Sequence, residues 1–358
     1  MLYYLSHWLQ QYWGPFRLLG SHVILLAAGA LASALAVAVF LPKLWHLLPR
    51  DRGKAICGDD GMKSRGKPTG GGLFMTLLML PAIVFFVPLG LWDFLAVCGV
   101  YAAMVCGYLD DRSEIPWGRC KKGFLDAAVS VSVACFIALG HGSEVWMPFV
   151  KGAWHIPLWA YIPMGAFLLW VSMNSTNCSD GVDGLAGSLT AISLVMLAVL
   201  LYLVVGYAPV ASYLLVPCNA DAAKWAILAM SAVGATGGYL WFNAEPSKVL
   251  MGDAGSRFLG MLVGAMVLVT GNPALILALS PIVLINGGLG LVKILVLKFA
   301  KKIGFEIGDD AAIRKIRFPL HDHCKKKLKW SNAQVLMRFT LLQLVVMPVL
   351  LVILVKVR

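Results

Sequence analysis

The chain has 358 residues, of which 59% are hydrophobic and only 13% charged, with a formal net charge of +12 and a mean hydropathy of +0.80. An ordinary soluble domain carries about a quarter charged residues, so these figures exclude one and point to a polytopic membrane protein. With no basic soluble region in the chain, they also exclude a nucleic-acid-binding module.

Residues 1–20 come first, and Leu2, Tyr3, Leu5, Trp8, Leu9, Tyr12 and Trp13 give them the pattern of an interfacial helix rather than a cleavable signal peptide. A hydrocarbon core of ~30 Å takes ~20 helical residues, and lipid tolerates only structures that satisfy their own backbone groups. On that measure ten spans follow, at 22–46, 71–91, 93–109, 123–140, 157–175, 185–206, 222–242, 256–270, 273–298 and 335–356. The expectation is an all-α integral membrane protein forming one polytopic domain over 1–358. Loops 49–70, 110–122, 174–184, 243–257 and 298–334 carry 6, 4, 0, 2 and 10 Lys and Arg, against 5 for the other connections and the termini. The positive-inside rule makes the first group cytoplasmic and the termini external. The eight cysteines include no Cys-x-x-Cys pair, only Cys218 falls in an external loop, and no disulfide framework is expected.

The chemistry-bearing residues lie on the cytoplasmic loops. The first loop mixes Arg50, Arg52, Lys54, Lys63, Arg65 and Lys67 with Asp51, Asp59 and Asp60, and closes on Pro68-Thr69-Gly70-Gly71-Gly72. Lys67, Thr69 and the glycine amides there suit an anion. The third span ends in Asp110-Asp111, two carboxylates that gain from adjacency only if a cation or donor faces them. Asn177-Cys178-Ser179-Asp180-Gly181-Val182-Asp183-Gly184 places an amide and two carboxylates on glycine-jointed backbone before a helix start. Asn243 ends the seventh span, and Gly252-Asp253-Ala254-Gly255-Ser256 reads as a tight turn opening the eighth. The last loop holds His321-Asp322-His323-Cys324, whose imidazoles, with Lys325 to Lys327, suit a diphosphate better than a zinc site. Asn286-Gly287-Gly288 should bend the ninth span and carry that loop back over the acidic face. Lys43, Asp93, Asp126, Lys293 and Arg338 sit near span ends, where snorkelling keeps a charge wet, so the midplane holds no charge relay of the transporter kind. Carboxylates in excess at a lipid boundary suit magnesium, which takes one or two of them plus substrate phosphates, and the matching chemistry is phosphoryl transfer between a nucleotide and a lipid phosphate.

In order and topology these motifs resemble the polyprenyl-phosphate N-acetylhexosamine-1-phosphate transferases. Within them the sequence looks like the phospho-N-acetylmuramoyl-pentapeptide transferase (translocase I) branch. The resemblance runs from Pro68-Thr69-x-Gly-Gly through Asp110-Asp111, Asn177-x-x-Asp180-Gly-x-Asp183-Gly, Trp241-Phe-Asn243-x-x-Pro, Met251-Gly-Asp253-x-Gly-Ser256 and the His321 loop to Lys356-Val-Arg. It implies ten spans, a homodimer, Mg²⁺ (Mg2+) dependence, and a bacterial inner-membrane enzyme of peptidoglycan synthesis. The implied reaction moves phospho-MurNAc-pentapeptide from UDP-MurNAc-pentapeptide to undecaprenyl phosphate, giving lipid I and UMP. Nucleoside inhibitors of the tunicamycin or muraymycin type follow as expected ligands. As for roles, it implies Asp253 as the Mg²⁺ ligand, Asp110 and Asp111 at the reaction centre, and Asn174, Asn177, Asp180 and Asp183 around the nucleotide. Because a phosphate monoester is mostly dianionic at neutral pH, a general base is not required, so two roles stay open for Asp110 and Asp111: base, or positioning of groups and metal. Four departures stand out: Asp322 replaces the middle of three histidines, and Leu250 stands where relatives stack a Phe on the uracil. Asn286 replaces a Glu, and Ala127 and Val129 replace a basic pair, with Lys121 and Lys122 nearby as substitutes. The alternatives are a sister transferase moving GlcNAc-1-phosphate from UDP-GlcNAc, favoured less by the His321 loop, and a flippase or solute carrier, which one-sided clustering of acid and base does not suit.

Overall fold

A computed structural model describes residues 1–51, 64–115, 117–150, 152–304 and 315–356, without the side chains of His7 and Arg119. Arg52, Lys54, Asp59, Asp60 and Lys63 of the first loop, Lys151, and the terminal Val357-Arg358 lie outside the described residues. The N-terminal helix α1 is Leu2–Leu9. After it come α2 (His22–Leu44), α3 (Gly72–Phe86), α4 (Leu91–Arg112) and α5 (Arg119–His141). A short hairpin, β1 (Glu144–Trp146) and β2 (Ala153–His155), precedes α6 (Leu158–Ser179), α7 (Leu185–Val199), α8 (Ala208–Leu214), α9 (Ala222–Asn243) and α10 (Gly252–Val269). The chain ends with α11 (Leu275–Leu279), α12 (Leu289–Lys302), α13 (Leu320–Lys327) and α14 (Asn332–Lys356).

Among the described residues, 8 helices are long and apolar enough to cross a membrane. Of the ten expected spans, α3 is the short one at 15 residues, and α6 is diluted by the polar run Asn174 to Ser179 at its C-terminal end. The fold is organised round α10. Every residue from Ala254 to Val269 is buried, as a helix apolar on all sides must be, and α3, α4, α5, α6 and α7 all pack against it. Close crossings depend on small residues: a Cβ on Gly234 of α9 would sit 1.9 Å from the carbonyl oxygen of Ala30 on α2.

Three expectations change. The architecture is not purely helical, because β1 and β2 pair antiparallel, with Val145 opposite Trp154. Trp146 fastens this hairpin to the end of α10, its Nε1 donating to Thr270 O at 2.8 Å. The expected span 273–298 is broken rather than merely bent. The helix ends at Ser280, restarts at Pro281, where proline has no N–H to give, and passes through a π-helical turn at Leu284–Gly288 before α12 resumes. Last, Asp93 and Asp126 do not snorkel: they are 8% and 5% exposed, because neighbouring helices supply partners that spacing along one helix does not show.

Candidate active site

Three helix ends meet at one end of the bundle. Helices α4 and α5 are antiparallel neighbours, so Asp110 and Asp111 at the end of α4 stand beside Lys122 at the start of α5, and α10 points its N-terminus at both. Asp111 accepts hydrogen bonds from the backbone N–H groups of Asp253 and Ala254, each at 3.1 Å, and so caps α10 from outside. Sequence reasoning placed both carboxylates at the unfavourable C-terminal end of their own helix. The fold adds the positive N-terminal end of another, which outweighs it. Glycine is required at 252, where φ is +72° and a Cβ would lie 2.4 Å from Asp111 Oδ2.

Asp110 pairs with Lys122, and its Oδ1 accepts the Trp117 N–H at 3.0 Å. The same ammonium stands 4.0 Å from Asp253 Oδ2. Asp253, with 26% of its side chain exposed, also lies 3.6 Å from Arg257 Nε one turn further along α10. Lys122 therefore stands among the carboxylates of the cluster, whereas Lys121 turns away and stacks over the Trp117 ring at 3.7 Å.

A second layer of loops closes round this centre. Leu250 N donates to Pro68 O at 2.8 Å and Gly71 N to Leu250 O at 2.9 Å, which straps the first loop, with Thr69, onto the approach to α10. Lys67 Nζ meets Ser247 Oγ at 3.0 Å, and Ser247 N donates to Asp183 Oδ2 at 3.3 Å. Asn177 Nδ2 reaches Ser256 Oγ at 3.2 Å, joining α6 to α10, while Asp180 caps the end of α6. Asn243, expected near substrate, is 3% exposed and spends both ends of its amide on backbone: Oδ1 accepts Gly184 N and Nδ2 donates to Val249 O, each at 2.8 Å. It holds the Asp180–Gly184 loop to the Asp253 turn.

The His321 loop returns to Asn286, in the π-helical turn where a bend was expected. Asn286 Oδ1 accepts the His321 N–H at 2.9 Å and lies 3.1 Å from Nδ1. His321 Nε2 sits so close to Gly181 that a Cβ there would be 2.2 Å away. Burial, the largest influence, pushes the His321 imidazole down to about 4; Asp322 opposes that and Lys325 adds to it. His321 is thus a neutral wedge between the two loops. His323 is half-buried, its Nδ1 accepting the Arg317 N–H at 3.2 Å, which leaves its other nitrogen as the donor, and Asp322 is half-buried too, with 38% of its side chain exposed.

Comparison with known proteins shows the family. Residues 94–271 match the model of glycosyl transferase family 4. A protein of Treponema pallidum (strain Nichols) named phospho-N-acetylmuramoyl-pentapeptide-transferase is 40% identical over 356 residues, covering 96% of this chain and 93% of its own length. Proteins of the same name in Borrelia hermsii and Borreliella afzelii are 30% and 28% identical over 81% and 92% of this chain and 84% and 96% of their own. The chain belongs to the phospho-N-acetylmuramoyl-pentapeptide-transferase family. The stretch that this transferase shares with the broader family model holds the whole acidic cluster, and it stops before the His321 loop.

Among the described residues of the transferase, no three His, Cys, Asp or Glu side chains are grouped to hold a metal ion by themselves. Magnesium asks for less: one or two carboxylates, with phosphate oxygens and water completing the shell. Asp110 and Asp253, hard oxygen donors with a lysine ammonium bonded to one and 4.0 Å from the other, fit that demand. Two residues at the centre escaped the sequence reading. Arg257 was counted only as loop charge and Asp126 only as a span-end carboxylate, yet Arg257 Nη1 donates to Asp126 Oδ1 at 2.5 Å. The available signal was the i, i+4 spacing from Asp253 to Arg257.

Proposed function

We infer that the chain transfers phospho-MurNAc-pentapeptide from UDP-MurNAc-pentapeptide to undecaprenyl phosphate, releasing UMP and leaving lipid I. The observation that carries this is the carboxylate cluster Asp110, Asp111 and Asp253, with Lys122 among its oxygens, in a chain that is 40% identical to a transferase of that name over nearly its full length. An oxygen of the lipid phosphate attacks the sugar-linked phosphorus, the bond to the bridging oxygen breaks, and UMP leaves with that oxygen. The attacking phosphate, with a second pKa near 6, is already dianionic at neutral pH and needs no proton removed.

Asp253, with Asp110 beside it, would hold Mg²⁺, which when bound neutralises charge on the phosphates during transfer. Lys122 offsets charge on the transferred phosphate, and Asp111 fixes the N-terminus of α10 by taking the Asp253 and Ala254 N–H groups. Lys67, Asp180, Asp183, Asn174, Asn177 and Ser256 belong to the nucleotide side, with Leu250 against the base. His323 is the donor of the last loop toward the diphosphate, with His321 setting its position.

Part of the same proposal is that α3 and α6 cross with the eight apolar helices, that the acidic end is cytoplasmic, and that two copies pair. A tag at Lys302 is expected inside and one at Lys151 outside; labelling that put both on one side would remove the ten-span arrangement. The test of function is UMP release by purified protein in detergent with undecaprenyl phosphate and Mg²⁺. Release from UDP-MurNAc-pentapeptide and not from UDP-GlcNAc is expected, and the reverse preference would move the chain to the GlcNAc-1-phosphate reaction.

A further inference from the structure

We propose that Arg257 is a positioning residue for Asp253, held in register by Asp126. The proposal rests on the reading of Asp253 as the magnesium-holding carboxylate. Arg257 is 5% exposed on the most deeply buried helix of the fold, a place where a cation must have a reason to stay. Its Nη1 is fixed by Asp126, itself 5% exposed and with the Asn174 amide beside its carboxylate. Its Nε–H makes no hydrogen bond although it is buried, and an unmade bond of that kind is costly to leave. The carboxylate oxygen facing it is Asp253 Oδ2, 3.6 Å away and one turn back on the same helix.

A guanidinium offers its N–H groups in a rigid fork, so anchoring one arm at Asp126 aims the other. Arg257 therefore restrains one oxygen of Asp253 and leaves the other for a ligand. It acts behind the reacting groups, as the outer partners of metal ligands do. The anchor continues through Asn174 to the helix that carries Asn177, Asp180 and the nucleotide-side loop, so the same pair ties the cation side of the site to the nucleotide side.

The test uses two variants that keep the fold while losing the aim. Arg257→Lys preserves the charge opposite Asp126 without the second arm. The double variant Asp126→Leu, Arg257→Leu replaces the buried pair by apolar groups, a change that proteins commonly tolerate without loss of stability. Thermal unfolding of the full chain in detergent is followed against MgCl₂ at fixed UDP-MurNAc-pentapeptide, without lipid phosphate, and UMP release is measured in parallel. Both variants should unfold within a few degrees of wild type in EDTA. Both should need about 10- to 100-fold more Mg²⁺ for half-maximal stabilisation and turnover, the usual cost of losing an outer partner. A double variant that titrates with Mg²⁺ like wild type overturns the inference and leaves Arg257 a strut. A wild-type chain that shows the Mg²⁺-dependent shift but releases no UMP would instead overturn the assigned reaction, with the restraint of Asp253 still read from the thermal titration.

Discussion

The bundle buries aspartate at both of its ends, and the two clusters are built to opposite plans. On α4, Asp93 lies near the start and Asp110-Asp111 near the finish, about 25 Å apart at 1.5 Å per residue. At the far end Asp93 Oδ1 takes His141 Nε2 at 2.8 Å and Trp225 Nε1 at 2.9 Å, while Asn219 Nδ2 meets His141 Nδ1 at 3.0 Å. Asp93 Oδ2 takes the Gly90 N–H at 3.3 Å and Asn219 Oδ1 the Asp221 N–H at 3.1 Å, so each polar atom of that chain has a partner from a ring, an amide or the backbone, and the chain lies against a cavity of about 200 Å³ edged by His141, Glu144 and Asn219. At the acidic end the partners are a flexible lysine, backbone N–H groups of a helix terminus, and a guanidinium with one arm unused. A saturated network of stiff groups stabilises one arrangement, whereas carboxylates held by exchangeable cations can change partners when a ligand arrives. The first plan is a strut and the second a site.

The largest test of that contrast pairs Asp253→Asn with Asp93→Asn. Asp253→Asn should cut UMP release about 10³-fold, with added Mg²⁺ restoring only a small part. Asp93→Asn should lower the unfolding midpoint and leave turnover per folded molecule within about twofold. Equal losses of turnover would erase the distinction between the two ends.

Next in size is the removal of partners from the strut. His141→Ala strips Asp93 of its neighbour and should cost about 3 kcal/mol of stability, the range seen for an uncompensated buried charge. Lys122→Ala leaves Asp110, whose side chain is 8% exposed, with the Trp117 N–H, so it should lower turnover as well as stability. Unfolding in denaturant beside UMP release reads both, and a more stable His141→Ala would contradict the strut.

A smaller effect concerns pH. His321 is neutral when folded and titrates at about 4, whereas an unfolded His titrates near 6.5. The unfolded chain binds the extra proton first, so this contribution to stability is fully present above about 6.5. It is lost as pH falls from there toward 4, and saturates at about 3 kcal/mol, an upper figure for a group that carries its loop alone. His321→Asn should flatten the midpoint over that window. A slope unchanged by the substitution would place the titration elsewhere. Smallest is Leu250→Phe, which restores a ring against the base and should tighten UDP-sugar binding by up to about tenfold by calorimetry; weaker binding would remove Leu250 from the base pocket.

Much of this was legible in the chain itself. Hydropathy fixed the helical membrane class, because apolar length and backbone satisfaction leave no alternative. The acidic motifs were legible too, to the extent that Asp110, Asp111 and Asp253, read as separate loop motifs, come together round Lys122 and the start of α10. Asn286-Gly287-Gly288, read as a bend, falls on the π-helical turn, and Asn286 itself receives the His321 N–H, while the break lies earlier, at Ser280-Pro281.

What the sequence could not decide is which partner each polar group finds. Spacing shows neighbours along one helix, at i+3 and i+4, but says nothing of the helix across the groove. Asp111 at the N-terminus of α10, Asp126 on Arg257, Asp93 on His141, and Asn243 clamped to two loops are all contacts between residues far apart in the chain. Each is set by how one helix or loop packs against another. Burial then made every unpaired charge costly, so the packed helices determined which carboxylates became struts and which stayed open for a ligand.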